Sequence, residues 1–377
     1  MTAPTRILHL HSSFSLGGKE ARATRLMNLM GPRAVHVVLS AVPDALGARD
    51  AIAADVDVDL PGDSGAPPLH GKPGLRRYRA LARYMQGFDL VLSYNWGAMD
   101  GVMARRMLSP FMALPPLVHH EDGFNEDESV KRNWKRSAFR RLALPTAEAL
   151  VVPSDLLQRI AKEEWSTNAQ LICNGIDVAA YHGPPDQPIP GLDRRDGDII
   201  IGTVAGLRAV KDLPALVRAV APLPPNVRLA IVGEGSERET IVAAADACGM
   251  ADRLILPGFM AAPHRWIGHF DVLALSSRSE QAPIAVIEAM AAGLPIASPD
   301  VGDVAAMVAP ENRIYIVPEA ADLTHALARL IGDAECRRAV GGANAELAAL
   351  HFDERTMVAS YDAVYGAALG GRSLFTG

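Results

Sequence analysis

The sequence predicts an α/β protein made of two domains, each a parallel sheet flanked by helices, that face one another across a cleft. Three observations predict it. The chain has 377 residues, which at roughly 100 to 200 residues per domain gives two cores. Short apolar runs ending in small or polar residues recur along it and alternate with stretches that suit helices, as parallel sheets with crossover helices require. The alternation lapses at 183–198, "GPPDQPIPGLDRRDGD", where Gly, Pro and charge collect without periodicity, as in a linker.

The elements follow in order. "RILHLHSSFSLGGKEARATRLMNLM" reads as a strand at about 6–12, a Gly-containing loop at 13–18 and a helix from Lys19. Strands at 36–42, from 88, at 117–120 and at 149–152 complete the first sheet. Beyond the linker, "DIIIGTVAGL", "VRLAIVGEG", "DRLILPGF", "FDVLALSS" and "LPIASPD" build the second. The predicted boundaries are 1–182 for a first domain, 183–198 for the linker, 199–350 for a second domain and 351–377 for a C-terminal helix.

Composition limits the function. Hydrophobic residues make up 49% and charged residues 21%, which excludes a disordered chain. With 37 Lys and Arg against 43 Asp and Glu, the net charge is -6. The molecule as a whole therefore attracts neither nucleic acid nor an anionic membrane, and no nucleic-acid partner is expected. Cys173, Cys248 and Cys336 are widely spread and form no C-x-x-C pair, which argues against a disulfide framework and a metal site. The opening residues lack the pattern of a signal peptide and no run of 18 apolar residues occurs, so a cytoplasmic protein is expected.

Residues 270–300, "FDVLALSSRSEQAPIAVIEAMAAGLPIASPD", carry the most chemistry. They read as a buried strand, a polar loop through Glu280, a helix from about Pro283, a stop at Gly293-Leu294-Pro295 and another strand. The segment Gln281, Ala282, Pro283 and Ile284 at such a helix start suits phosphate oxygens through its free N–H groups, and the proline, which has none, costs no intrahelical bond there. Glu288 follows Glu280 after seven residues, two helical turns along, where both carboxylates can grip hydroxyls of an extended ligand. The spacing alone equally fits two solvated carboxylates.

This pattern, with "EAMAAGLPIAS" at 288–298 and "NGID" at 174–177, resembles the E-x7-E motif of the family 4 glycosyltransferases, retaining enzymes of the GT-B fold, and the likeness covers nearly the whole chain. The resemblance implies two Rossmann-like domains, 1–182 on the acceptor side and 199–350 binding the nucleotide-sugar donor, with the C-terminal helix packing back toward the first. It implies that Glu280 contacts the transferred sugar and Glu288 the ribose of the nucleotide. Lys211, in "IGTVAGLRAVKDLPALVRAV" at 201–220, would neutralise the leaving diphosphate. Gly206 stands where the family has an arginine, and Arg208 is the substitute it suggests. Gly17 and Gly18 resemble the family's Gly-Gly loop, with Glu20 on the acceptor side.

In "LVHHEDGFNED" at 117–127, His119 and His120 are both candidates for the histidine near the reacting sugar, while Asp122 and Gly123 occupy the family's His-Gly positions. Neighbours on a strand point to opposite faces, so at most one enters the cleft. The chain also departs from the pattern at Gln281 and Asp303, where glycines are usual.

The implied activity is retaining transfer of a sugar from a UDP- or GDP-type nucleotide diphosphate sugar to a hydroxyl of a glycan, lipid-linked or small-molecule acceptor, with no metal or other cofactor required. A sugar-nucleotide epimerase or hydrolase, or a silent nucleotide-sugar binding protein, is the alternative. "KRNWKRSAFRR" at 131–141 interleaves six basic residues with Trp134 and Phe139. It reads either as a solvated face or as a peripheral contact with the anionic inner face of a membrane. No G-x-G-x-x-G fingerprint with an acidic partner supports a dinucleotide oxidoreductase.

Overall fold

The computed structural model describes residues 3–15, 17–71, 73–124, 128 and 132–375. Contacts divide the chain into two units, residues 1–173 with 357–377, and residues 174–356.

The first unit holds a seven-stranded sheet of β1 (Thr5–His11), β2 (Ala34–Ser40), β3 (Val58–Asp59), β4 (Leu90–Tyr94), β5 (Leu117–His120), β6 (Ala149–Val152) and β7 (Ala169–Leu171). Its order is β3-β2-β1-β4-β5-β6-β7 and every pairing is parallel. The strands read as continuous apolar runs because both faces are covered. Leu8, Leu10, Val91 and Leu117 pack on one face with Val102 and Trp165. Ile7, Leu90, Leu92 and Val118 pack on the other with Met357, Tyr361 and Tyr365, which come from the helix Glu354–Ala368.

The second unit holds six parallel strands: β8 (Ile199–Val204), β9 (Val227–Val232), β10 (Leu254–Gly258), β11 (Val272–Ala274), β12 (Ile296–Pro299) and β13 (Ile316–Val317). Their order is β10-β9-β8-β11-β12-β13. Alternation again splits the core: Ile200, Val232 and Leu273 lie in one cluster, Ile201, Ile231 and Val272 in the other.

The stretch 183–198, expected as a linker, is part of this second unit. Ile189 is buried in its core, and Arg194 grips Asp271 through both carboxylate oxygens at 2.9 and 2.8 Å. A Pro-rich stretch has no hydrophobic period to reveal it, but single anchors of this kind tie it down.

Candidate functional site

Strand order reverses once in each sheet, at β1/β4 and at β8/β11. There the connections diverge and leave a crevice beyond the carboxyl ends of the two strands, the usual ligand position in open parallel sheets.

In the second unit Lys211 follows β8 and Glu280 follows β11, and Lys211 Nζ lies 2.5 Å from Glu280 Oε1. Ser277 Oγ donates to that same oxygen at 2.6 Å. The two loops are clipped together below the pair. Ser276 Oγ donates to the Lys211 carbonyl and the Arg278 amide to the Val210 carbonyl, both at 2.9 Å, while Arg278 Nε reaches Asp212 at 2.9 Å. A cation and a carboxylate, both half-buried, therefore stand together at the switch point on loops that hold each other.

The segment from Glu280 into the helix Ile284–Ala291 is held from behind. Gly302 has φ +59, and a Cβ on it would lie 2.5 Å from the carbonyl oxygens of both Glu280 and Gln281. Glycine is needed there for the turn and for the close approach alike. The Asp303 amide donates to the Gln281 carbonyl at 2.8 Å, and Asn174 Nδ2 donates to the Ala282 carbonyl at 2.8 Å. Pro283 precedes the helix and no side chain caps it, which leaves first-turn amides as donors for an anion.

Two turns on, Glu288 accepts a hydrogen bond from Tyr181 Oη at 3.3 Å. Burial pushes the Glu288 carboxyl up to about 7, and the bond from Tyr181 works in the opposite direction. Arg208 is exposed, and its Nε lies 3.5 Å from where a Cβ on Gly206 would be. Its guanidinium stem thus passes over the very glycine that interrupts the expected pattern.

In the first unit the loop after β1 leads through Gly17 into the helix Gly18–Met30. Gly17 is extended, and a Cβ on it would sit 3.0 Å from Glu20 Oε2. Glu20 is buried and paired with Lys19; burial raises its carboxyl above the ordinary range against the pull of Lys19. This helix start is thus occupied by the chain's own carboxylate.

Both candidate histidines are buried, on opposite faces of the sheet. His119 Nδ1 pairs with Ser93 Oγ at 2.8 Å, and its Nε2 is 3.8 Å from Glu121 Oε2. His120 Nδ1 meets the Ser93 carbonyl at 3.2 Å and its Nε2 meets Tyr365 Oη at 2.9 Å. Burial, with Arg22 next in effect, holds His120 well below the usual histidine range, so it is neutral. Beside it lie Tyr94, stacked at 4.6 Å, and His11, itself stacked on Tyr94 at 4.1 Å. Neither histidine is brought near Lys211 or Glu280 within a unit, since those belong to the other sheet.

The motifs gave no role to Ser277 or Tyr181, and none to Asn174 beyond its place in "NGID", yet Ser277 reaches Glu280, Tyr181 reaches Glu288 and Asn174 reaches the Ala282 carbonyl. Asp122 is paired with Arg22 at 2.5 Å, and its amide donates to Asn95 Oδ1 at 2.7 Å. Of the six basic residues at 131–141, Lys131 lies outside the described residues, as do 125–127 of the histidine segment. Arg140 is fully buried, while Arg132, Lys135 and Arg141 are exposed on or next to the helix Trp134–Ala143. One run of like charges therefore contains both an internal ion-pair partner and a wet face. Helical phase would have hinted at Arg140, but the partners that hold it come from elsewhere in the chain.

Among the described residues, no cluster of three or more His, Cys, Asp or Glu is placed to hold a metal ion, and no helix is long and apolar enough to cross a membrane.

Comparison with known proteins matches residues 189–346 to the family described as "Glycosyl transferases group 1". This corrects the family drawn from the motifs: the match is to group 1, and the assignment to family 4 is withdrawn. Glu280 and Glu288 both fall inside the matched stretch. The chain is 32% identical over 146 residues to 2-deoxystreptamine N-acetyl-D-glucosaminyltransferase of Streptomyces fradiae, covering 37% of this chain and 34% of that one. It is 28% identical over 189 residues to D-inositol 3-phosphate glycosyltransferase of Jonesia denitrificans, 45% of each. The matched stretches thus span less than half the length of either curated relative. Among solved structures, Anabaena HepE in complex with UDP-glucose superposes with a TM-score of 0.77 at 19% identity, covering 96% of this chain and 100% of that one. Sucrose-phosphate synthase of Thermosynechococcus elongatus gives 0.72 at 17%, covering 97% and 100%. The chain has the GT-B fold of two Rossmann-like domains.

Proposed function

We propose that the chain is a glycosyltransferase that moves a sugar from a nucleotide diphosphate sugar, of the UDP type first, to an acceptor hydroxyl with retention at the anomeric carbon. The observation that carries this reading is the Lys211–Glu280 pair at the β8/β11 switch point with Glu288 two turns beyond. UDP and UDP-glucose in the HepE structures support the choice of base.

On this reading the bond between the anomeric carbon and the β-phosphate oxygen breaks, and its electron pair leaves on the diphosphate. Lys211, Arg208 and the N–H groups of residues 281, 282 and 284 meet that charge as it develops. Glu280 orients the sugar and Glu288 the ribose. The acceptor oxygen bonds to the anomeric carbon while its proton passes to the departing phosphate oxygen. The acceptor is a glycan, a lipid-linked sugar or a small molecule.

Calorimetric titration with UDP, GDP, ADP and their sugar conjugates, first without and then with divalent metal, tests the reading. Saturable binding to one base family is expected; heat from none of them overturns it.

Peripheral membrane contact belongs to the same proposal. Trp134 is 74% and Leu142 55% exposed, with Lys135 and Arg141 exposed beside them. An apolar pair within a basic surface suits an anionic bilayer. Sedimentation with anionic vesicles is expected to carry the protein down, and changing Trp134→Ser with Arg141→Ser to release it. Equal sedimentation with neutral and anionic vesicles discards the contact.

A further inference from the structure

The segment 174–181 supports the candidate donor helix at two places. Asn174 Nδ2 fixes the Ala282 carbonyl just before the helix at 2.8 Å, and Tyr181 Oη reaches Glu288 Oε1, two turns past Glu280, at 3.3 Å. Tyr181 ends the short helical turn Val178–Tyr181. Its ring is buried in the second unit's core, edge-on to His264 at 5.9 Å, so its hydroxyl has little freedom to turn away.

A carboxylate has about four acceptor sites on two oxygens. The Tyr181 hydroxyl occupies one on Oε1 and fixes the plane of the group, leaving acceptor sites on both oxygens for a pair of neighbouring hydroxyls. Burial works against the charged form of Glu288, and the Tyr181 bond favours it. A charged acceptor makes stronger hydrogen bonds than a neutral one.

We propose that Tyr181 is a positioning residue that holds the Glu288 carboxylate in place for the vicinal diol of the donor ribose. The proposal rests on the donor-site reading above and adds to it the residue that sets the orientation of Glu288.

The test compares the unsubstituted chain with Tyr181→Phe, which removes the hydroxyl and keeps the ring, by calorimetry against UDP and against 2′,3′-dideoxy-UDP. Loss of one hydrogen bond of ordinary net strength predicts that the variant binds UDP about five- to tenfold more weakly. Its affinity for the dideoxy analogue should equal that of the unsubstituted chain, because the diol through which Tyr181 acts is gone. A structural effect of the substitution would weaken both nucleotides alike, and that result overturns the proposal. So does a variant that binds UDP as tightly as the original. In those two cases UDP binding by the unsubstituted chain leaves the donor reading standing. If the unsubstituted chain binds neither nucleotide, the donor reading fails and the role of Tyr181 fails with it.

Discussion

Replacing Lys211 with methionine is expected to lower turnover by about 10²- to 10³-fold, the scale on which one aimed electrostatic group counts in a transition state. Lys211 Nζ stands 2.5 Å from Glu280 Oε1, and Ser277 shares that oxygen. An ammonium has three donors, so one can stay on Glu280 while the others turn to an arriving diphosphate. The Glu280 carboxylate holds the ammonium in place beforehand, and little reorganisation remains when charge develops on the leaving group. Methionine keeps the length of the side chain and removes the charge.

The loss should fall mainly on turnover at saturating donor, because the diphosphate charge is greatest as the glycosidic bond breaks. Lys211→Arg should recover only part, since a planar fork does not repeat the contacts of a compact ammonium. Steady-state kinetics with calorimetric UDP binding would decide it. A methionine variant with unchanged turnover and unchanged affinity would remove Lys211 from the mechanism.

The second large effect is on stability. Arg140 Nε lies 3.0 Å from Glu121 Oε2 and its Nη1 3.5 Å from Glu128 Oε1, with all three side chains buried. The guanidinium carbon lies 5.1 Å from the ring centre of Trp96, 5.5 Å from that of Phe124 and 5.0 Å from that of Trp165, contacts that favour a cation. Burial raises the Glu121 carboxyl, but Arg140 and His119 bring it below its ordinary value on balance.

Arg140→Met removes the cation and leaves Glu121 charged in a poorly solvated place, at a cost of about 3 to 5 kcal/mol. Glu128 retains Arg136 at 2.8 Å, so Glu121 bears most of the loss. The sign with pH follows. In the original chain the depressed Glu121 adds stability above its unfolded value and loses it as pH falls through the folded one. In the variant burial acts without Arg140, so the carboxyl shifts upward and the deficit narrows on acidification. Denaturant unfolding from neutral pH down through the ordinary carboxylate range and below it reads this, and Arg140→Met with Glu121→Gln should regain part of the loss. A deficit below about 1 kcal/mol at neutral pH would show that Glu121 does not depend on Arg140 to carry its charge.

Much of the candidate site in the second unit was legible because its signals are local. A strand end, a polar loop and a helix start follow one another within residues 270–300, so the sequence places Glu280 on the loop and Glu288 on the helix. Lys211 stood out for the same reason, at the loop after the first strand of its series. The histidines show the limit of local reasoning. Alternation assigned His119 and His120 to opposite faces, but it was silent on what covers each face, and both faces turn out to be closed. His120 meets Tyr365, 245 residues away, a partner that no spacing rule reaches.

The sequence by itself determined the α/β order, the parallel sheets and the loops that follow β8 and β11, because backbone propensity and hydrophobic period act between near neighbours along the chain. Only the tertiary structure decided that β8 and β11 stand side by side, which brings Lys211 onto Glu280. It alone separated Arg140 from the exposed charges around it and set Tyr181 against Glu288. A polar group's role depends on which partners reach it when water is removed, and strand order and packing bring those partners from far along the chain.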